Sequence, residues 1–87
     1  MTIEKSSQAF EAFSKSVKNN NVLDDKTTRL IYLAASMAIG CYPWMIHCLS
    51  DAKENGISDD EINAAKAVVM AVSAGRVNAQ FKDATGQ

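Results

Sequence analysis

The sequence predicts an all-α fold, four helices in a single domain spanning residues 1–87. Three observations carry that prediction. Apolar residues recur at helical spacing in four separate segments. Each segment is bounded by helix punctuation, with acidic or hydroxyl side chains before it or asparagine or glycine after it. No stretch alternates apolar and polar residues as a half-buried strand would.

In the first segment Ala9, Phe10, Phe13 and Val17 give one apolar face to a helix from Lys5 to Lys18. The run Asn19-Asn20-Asn21 stops it, because asparagine favours turns. Asp24 is a good N-cap for the second helix, and Asp25 suits the positive end of the helix dipole. Leu30, Ile31, Ala34, Ala35, Ala38 and Ile39 form a wide apolar stripe, so this helix is expected to be largely buried, with Gly40 ending it. A third helix starts near Pro43, where proline's missing N–H costs nothing. Met45, Ile46, Leu49 and Ala52 continue the pattern, and Gly56 closes it.

The fourth helix has the strongest start in the chain. Ser58 and Glu61 form a capping box, each satisfying a donor of the other. Ile62, Ala65, Val68, Val69 and Val72 supply its apolar face, and Ala64, Ala67, Ala71, Ala74 and Gly75 allow close approach of another helix. The tail from Lys82 to Gln87 shows no periodicity and is expected to fray.

Bulk properties narrow the function. A chain of 87 residues holds one core and buries only about 60–65% of the surface its unfolded form exposes. Its hydrophobic fraction is 47%, yet thirteen of those residues are alanine and six are aromatic. A shallow core of that kind predicts self-association. The net charge of -1, pI 5.7 and the absence of a basic run argue against nucleic-acid partners. The longest apolar run, Leu30 to Cys41, is shorter than the roughly 20 residues that span a bilayer, so no membrane role is expected. The opening MTIEKSSQAF does not read as a secretory signal, which leads to the expectation of a cytoplasmic protein. There, cysteines are more often free or reactive than structural staples.

Chemistry concentrates in GCYPWMIHC, Gly40 to Cys48, which holds both cysteines and the only histidine, proline and tryptophan. Cys41 falls just before a helix N-terminus, a place that favours a thiolate and makes the sulfur a candidate nucleophile. Cys48 lies seven residues on and can share a face with it, but two helical Cα atoms at that spacing are about 10.5 Å apart. A disulfide needs less than about 7 Å, so one within this segment is not expected. Cys48 reads first as a small buried hydrophobe, the usual state of a lone cysteine on an apolar face. His47 reads as a proton carrier or as a partner for a carbonyl, and Trp44 as core, interface or the wall of a substrate pocket. Cys41, His47 and Cys48 lack the fourth ligand and the spacing of a metal site, and no metal or other cofactor is called for.

The helix opening Leu23-Asp24-Asp25-Lys26-Thr27, the run LIYLAASMAIGC, the motif helix, the segment AKENGISDDEI and the alanine-rich helix after it resemble the alkylhydroperoxidase D / carboxymuconolactone decarboxylase family over Leu23 to Ala79. The resemblance implies a four-helix alkylhydroperoxidase D-like domain that assembles into homo-oligomers, commonly trimers or hexamers. In redox-active members a Cys-x-x-Cys opens the motif helix, a histidine follows the second cysteine by four residues, and a glutamate stands on the preceding helix. The thiols reduce a peroxide while glutamate and histidine relay protons.

Carried over, Cys41 matches the first cysteine, Trp44 replaces the second, Cys48 takes the histidine position with His47 just before it, and Arg29 takes the glutamate position. Arg29 cannot act as a base, because guanidinium keeps its proton; it can tune Cys41 or bind an anion. Three readings follow. One is a thiol-dependent, peroxidase-like oxidoreductase with Cys41 as nucleophile, Cys48 or an external thiol reductant resolving, and His47 and Arg29 tuning charge. The second is a non-catalytic oligomeric module that binds a small molecule or partner chain, with Trp44 and Arg29 as binding residues. The third is a carbon-centred reaction such as decarboxylation, for which no residue signature is present.

Overall fold

A computed structural model describes residues 2–86 of the chain, and the four expected helices are all there. They are α1 (Ile3–Lys18), α2 (Asp25–Ile39), α3 (Tyr42–Glu54) and α4 (Asp59–Thr85), with no strand among the described residues.

Local chemistry sets each boundary. The Thr2 hydroxyl accepts from the Lys5 N–H to cap α1. The Asn20 carboxamide oxygen accepts from the N–H groups of Val22 and Leu23, folding the chain towards α2. Its NH2 donates to Val17 O and to the Thr28 hydroxyl, which ties the end of α1 to the start of α2. Asp24 caps α2 through the Thr27 N–H at 2.6 Å. Gly40 (φ 76°) ends α2 in the left-handed conformation; its N–H donates to Met37 O and that of Cys41 to Ser36 O, a Schellman close. Gly56 (φ 78°) ends α3 in the same way, with Ile57 N–H reaching Ala52 O. The expected capping box opens α4: Ser58 Oγ accepts from Glu61 N–H at 3.1 Å, and Glu61 Oε1 accepts from Ser58 N–H at 3.0 Å. Lys26 Nζ lies 2.9 Å from Glu61 Oε2, joining the first turns of α2 and α4.

The core is small. Leu33 is fully buried at its centre, with Cys48, Ala52, Ile57 and Ile62 around it and Leu30, Tyr32, Met37 and Leu49 packed at its edge. Helix α2 is the spine, since both α3 and α4 pack on it. No residue of α1 is buried, and every described residue after Val69 is exposed, so α4 runs well past the helices it packs on. The radius of gyration, 16.6 Å, exceeds the roughly 12 Å of a compact domain of this length.

Two expectations are corrected. Helix α2 is not largely buried within one chain: Ile31, Ala35, Ala38 and Ile39 are exposed, and its buried line is instead Thr28, Leu33 and Ser36. The apolar stripe and the covered face differ because α3 and α4 occupy only one side of the helix. The tail does not fray at Lys82: α4 continues to Thr85, whose hydroxyl donates to Phe81 O, and Gly86 caps it with φ 73°. Gln87 lies outside the described residues.

Candidate functional site

The first turns of α2 and the middle of α3 face each other next to the end of α1, and a polar cavity of about 120 Å³ lies between them. Lys18 and Asn19 come from the end of α1, Asp25, Thr28, Arg29 and Tyr32 from α2, and Trp44, His47, Cys48 and Asp51 from α3. Four of the five residues singled out in the sequence, Arg29, Trp44, His47 and Cys48, line it together. Cys41 does not; it caps α3, half-buried, outside that lining.

Helical spacing explains the convergence. Arg29 and Tyr32 are three residues apart on α2, and Trp44, His47, Cys48 and Asp51 follow at intervals of three or one along α3, so each set projects from one face. Arg29 is held from two sides. Its Nε donates to Asp25 Oδ2 at 2.8 Å, one turn back, and its Nη1 donates to Asp51 Oδ2 across the helix interface. The hydrogen bonds to Asp25 and then to Asp51 raise the guanidinium pKa further, so Arg29 is permanently charged here. Both members of the Arg29–Asp51 pair are about three-quarters buried, which shields the pair from much of the solvent screening.

Cys48 is buried, and burial pushes its thiol up from the ordinary value, against a smaller opposing effect of a hydrogen bond with Ser36. It is a protonated, poorly nucleophilic sulfur at neutral pH. Cys41 has β-region backbone (φ -87°, ψ 97°) at the N-cap of α3, and its side chain makes no capping hydrogen bond. The Pro43 ring follows in the first turn, where it needs no acceptor. Both thiols are free.

Trp44 stands between the polar cavity and an apolar groove. Its ring stacks on Tyr32 with centroids 6.5 Å apart and meets His47 edge-on at 5.5 Å. Tyr32 and Trp44 also line the groove, about 610 Å³, which runs between α1 and α2 past Phe10, Phe13, Val17 and Ile31. That volume falls in the range of small-molecule sites, whereas the polar cavity is smaller than that range.

Sequence reasoning did not find Asp51, Lys18, Tyr32 or Ser36. Asp51 and Tyr32 were within reach of it, lying one turn from His47 and from Arg29. Lys18 carried no signal, because its place depends on how α1 returns to α2. Among the described residues no group of three metal-ligating side chains gathers, and no helix is long and apolar enough to cross a membrane.

The sequence model of the carboxymuconolactone decarboxylase family matches residues 4–84. A crystal structure of a protein from Methanobacterium thermoautotrophicum superimposes with a TM-score of 0.87 at 25% identity, covering 92% of each chain. No curated protein matches the sequence.

Proposed function

The chain belongs to the carboxymuconolactone decarboxylase family, and we propose that within it this protein is a non-catalytic, self-assembling module that binds a polar ligand of only a few heavy atoms, as the cavity size requires, at the Arg29–His47–Trp44 cavity, rather than a dithiol peroxidase. The observation that carries this reading is the state of the residues at the positions the redox pattern requires. Arg29, in place of a glutamate, is bound to two carboxylates and cannot accept a proton. Cys48, in place of a histidine, is buried and held protonated. Trp44, in place of the second cysteine, leaves Cys41 without a sulfur one turn away. A proton relay and a dithiol are both missing, while the fold and a lined cavity are kept.

Self-assembly is supported by the open build of the protomer. A five-residue core with α1 unburied and the second half of α4 exposed leaves most of the large apolar side chains in water. The hydrophobic effect disfavours that by roughly 25 cal/mol per Å².

A second reading, a thiol-dependent oxidoreductase, is favoured by one observation: Cys41 stands half-buried at the N-cap of α3 with no capping hydrogen bond of its own, so its sulfur is free to meet a substrate. In that case an external thiol would resolve, since Cys48 is buried. The two readings separate in a turnover assay with cumene hydroperoxide and dithiothreitol. The binding reading expects equal rates for the wild type and Cys41→Ser; a rate that depends on Cys41 establishes the oxidoreductase.

A further inference from the structure

The α1–α2 groove and the far half of α4 are two uncovered apolar features of the molecule, and they match each other in length. The groove presents Phe10, Phe13, Val17 and Ile31 along α1 and α2. On α4, Met70, Ala74, Val77, Phe81 and Ala84 recur at alternating intervals of four and three residues. That spacing makes one continuous stripe suited to helix–helix packing. Met70, Val77 and Phe81 are each more than 60% exposed. The lengths agree as well: residues 70–85 form about 24 Å of helix, and α1 with its 16 residues forms about the same.

The area sets the scale. The chain exposes 6789 Å², whereas a compact monomer of 9.4 kDa exposes about 5,000 Å². The excess, about 1,800 Å² per chain, is the amount that one side of a large obligate interface buries. A small ligand would cover only a fraction of it. A second copy of the same chain covers both, because each copy brings one groove and one tail.

We propose that residues 70–85 of α4 from a second copy lie in the α1–α2 groove, with the Met70–Val77–Phe81 stripe on Phe10, Phe13, Val17 and Ile31. Tyr32 and Trp44 form the wall shared by the groove and the polar cavity. The partner's helix therefore backs that wall, and the cavity is complete only in the assembly. This rests on the self-assembly part of the reading above and specifies which surfaces make it.

The test uses the full chain in three forms: wild type, Phe10→Asp on the groove and Phe81→Asp on the tail. Both positions are exposed and outside the core, so helical circular dichroism should be retained. Light scattering should give wild-type chains a mass that is a multiple of 9.4 kDa, and each variant a lower one. An equimolar mixture of the two variants should recover a species of two or more chains, because the intact tail of one fits the intact groove of the other. The single tryptophan, Trp44, reports the same contact: acrylamide quenching should rise at least twofold in Phe81→Asp.

Wild-type mass retained by either variant, or a mixture that recovers nothing, overturns the tail-in-groove contact while leaving self-assembly through another face. A monomeric wild type overturns both. Neither result bears on thiol turnover, which tests the rest of the functional reading separately.

Discussion

Arg29 on α2 and Asp51 on α3 are joined across the helix interface by a charge-assisted hydrogen bond from Nη1 to Oδ2, with Asp25 gripping the other edge of the guanidinium. Arg29 and Asp51 both line the polar cavity. The consequence is chemical as much as structural: the cavity carries a guanidinium that stays charged and cannot relay a proton.

Replacing Arg29 by Met leaves the Asp25 and Asp51 carboxylates at the cavity without the guanidinium that joins them. With both partners of the pair about three-quarters buried, the cost lies between that of an exposed and that of a buried ion pair, about 1–2 kcal/mol. Thermal unfolding of Arg29→Met should shift down by several degrees, and a double-mutant cycle with Asp51→Asn should show coupling of the same sign. Additive effects would mean that the pair contributes nothing beyond its separate side chains.

Acid should weaken the start of α4. The Lys26 ammonium and the Ser58 N–H hold the Glu61 carboxyl down to about 2 from an ordinary 4.5. A folded pKa below the unfolded one stabilises the fold fully above about pH 4.5 and is lost as pH falls through 2. Asp24, held low by hydrogen bonds from Thr27, acts in the same direction. Melting temperatures measured between pH 5 and pH 2 should fall, and the slope should be shallower in Glu61→Gln. Ser58→Ala removes the other half of the capping box and should cost about 1 kcal/mol at neutral pH.

Trp44→Cys rebuilds a Cys-x-x-Cys with the first sulfur at the N-cap of α3. A mild oxidant should then form an intramolecular disulfide, read as a loss of two hydrogens in intact mass, which reverses with dithiothreitol. No such species would show that the α3 N-terminus does not bring the two positions within disulfide reach.

Most of the fold was legible in the sequence because its boundaries are written in short-range chemistry. Asp24, Gly40, Pro43, Gly56 and the Ser58–Glu61 box each act within one turn of helix, and each does in the structure what its residue type predicts. Burial was less legible. Periodicity finds the apolar side of a helix but not what covers it, and the Ile31–Ala35 side of α2 faces the open groove instead of the core. The tail of α4 was misjudged for a related reason: residues 82–85 have no apolar period to betray a helix, yet Lys82 and Ala84 favour one and Gly86 caps it.

The site was half visible. Arg29, Trp44, His47 and Cys48 could be named from spacing and resemblance, and they do line one cavity. What spacing could not give is the cross-helix bond to Asp51 and the contribution of Lys18, both of which depend on how the helices pack. The contrast between the two thiols was legible, because one precedes Pro43 at a helix start and the other lies on the apolar face of that helix. The structure buries Cys48 beside Ser36 and leaves Cys41 half-exposed at a helix end.

Whether Cys41 and Cys48 work as a pair is read from intact mass after treatment with one equivalent of hydrogen peroxide. No species lacking two hydrogens within a single chain should form, and Cys48 should remain a free thiol on alkylation of the unfolded protein. A Cys41–Cys48 disulfide formed at a rate comparable to peroxide consumption would contradict this expectation, and would restore a dithiol cycle to this member of the family.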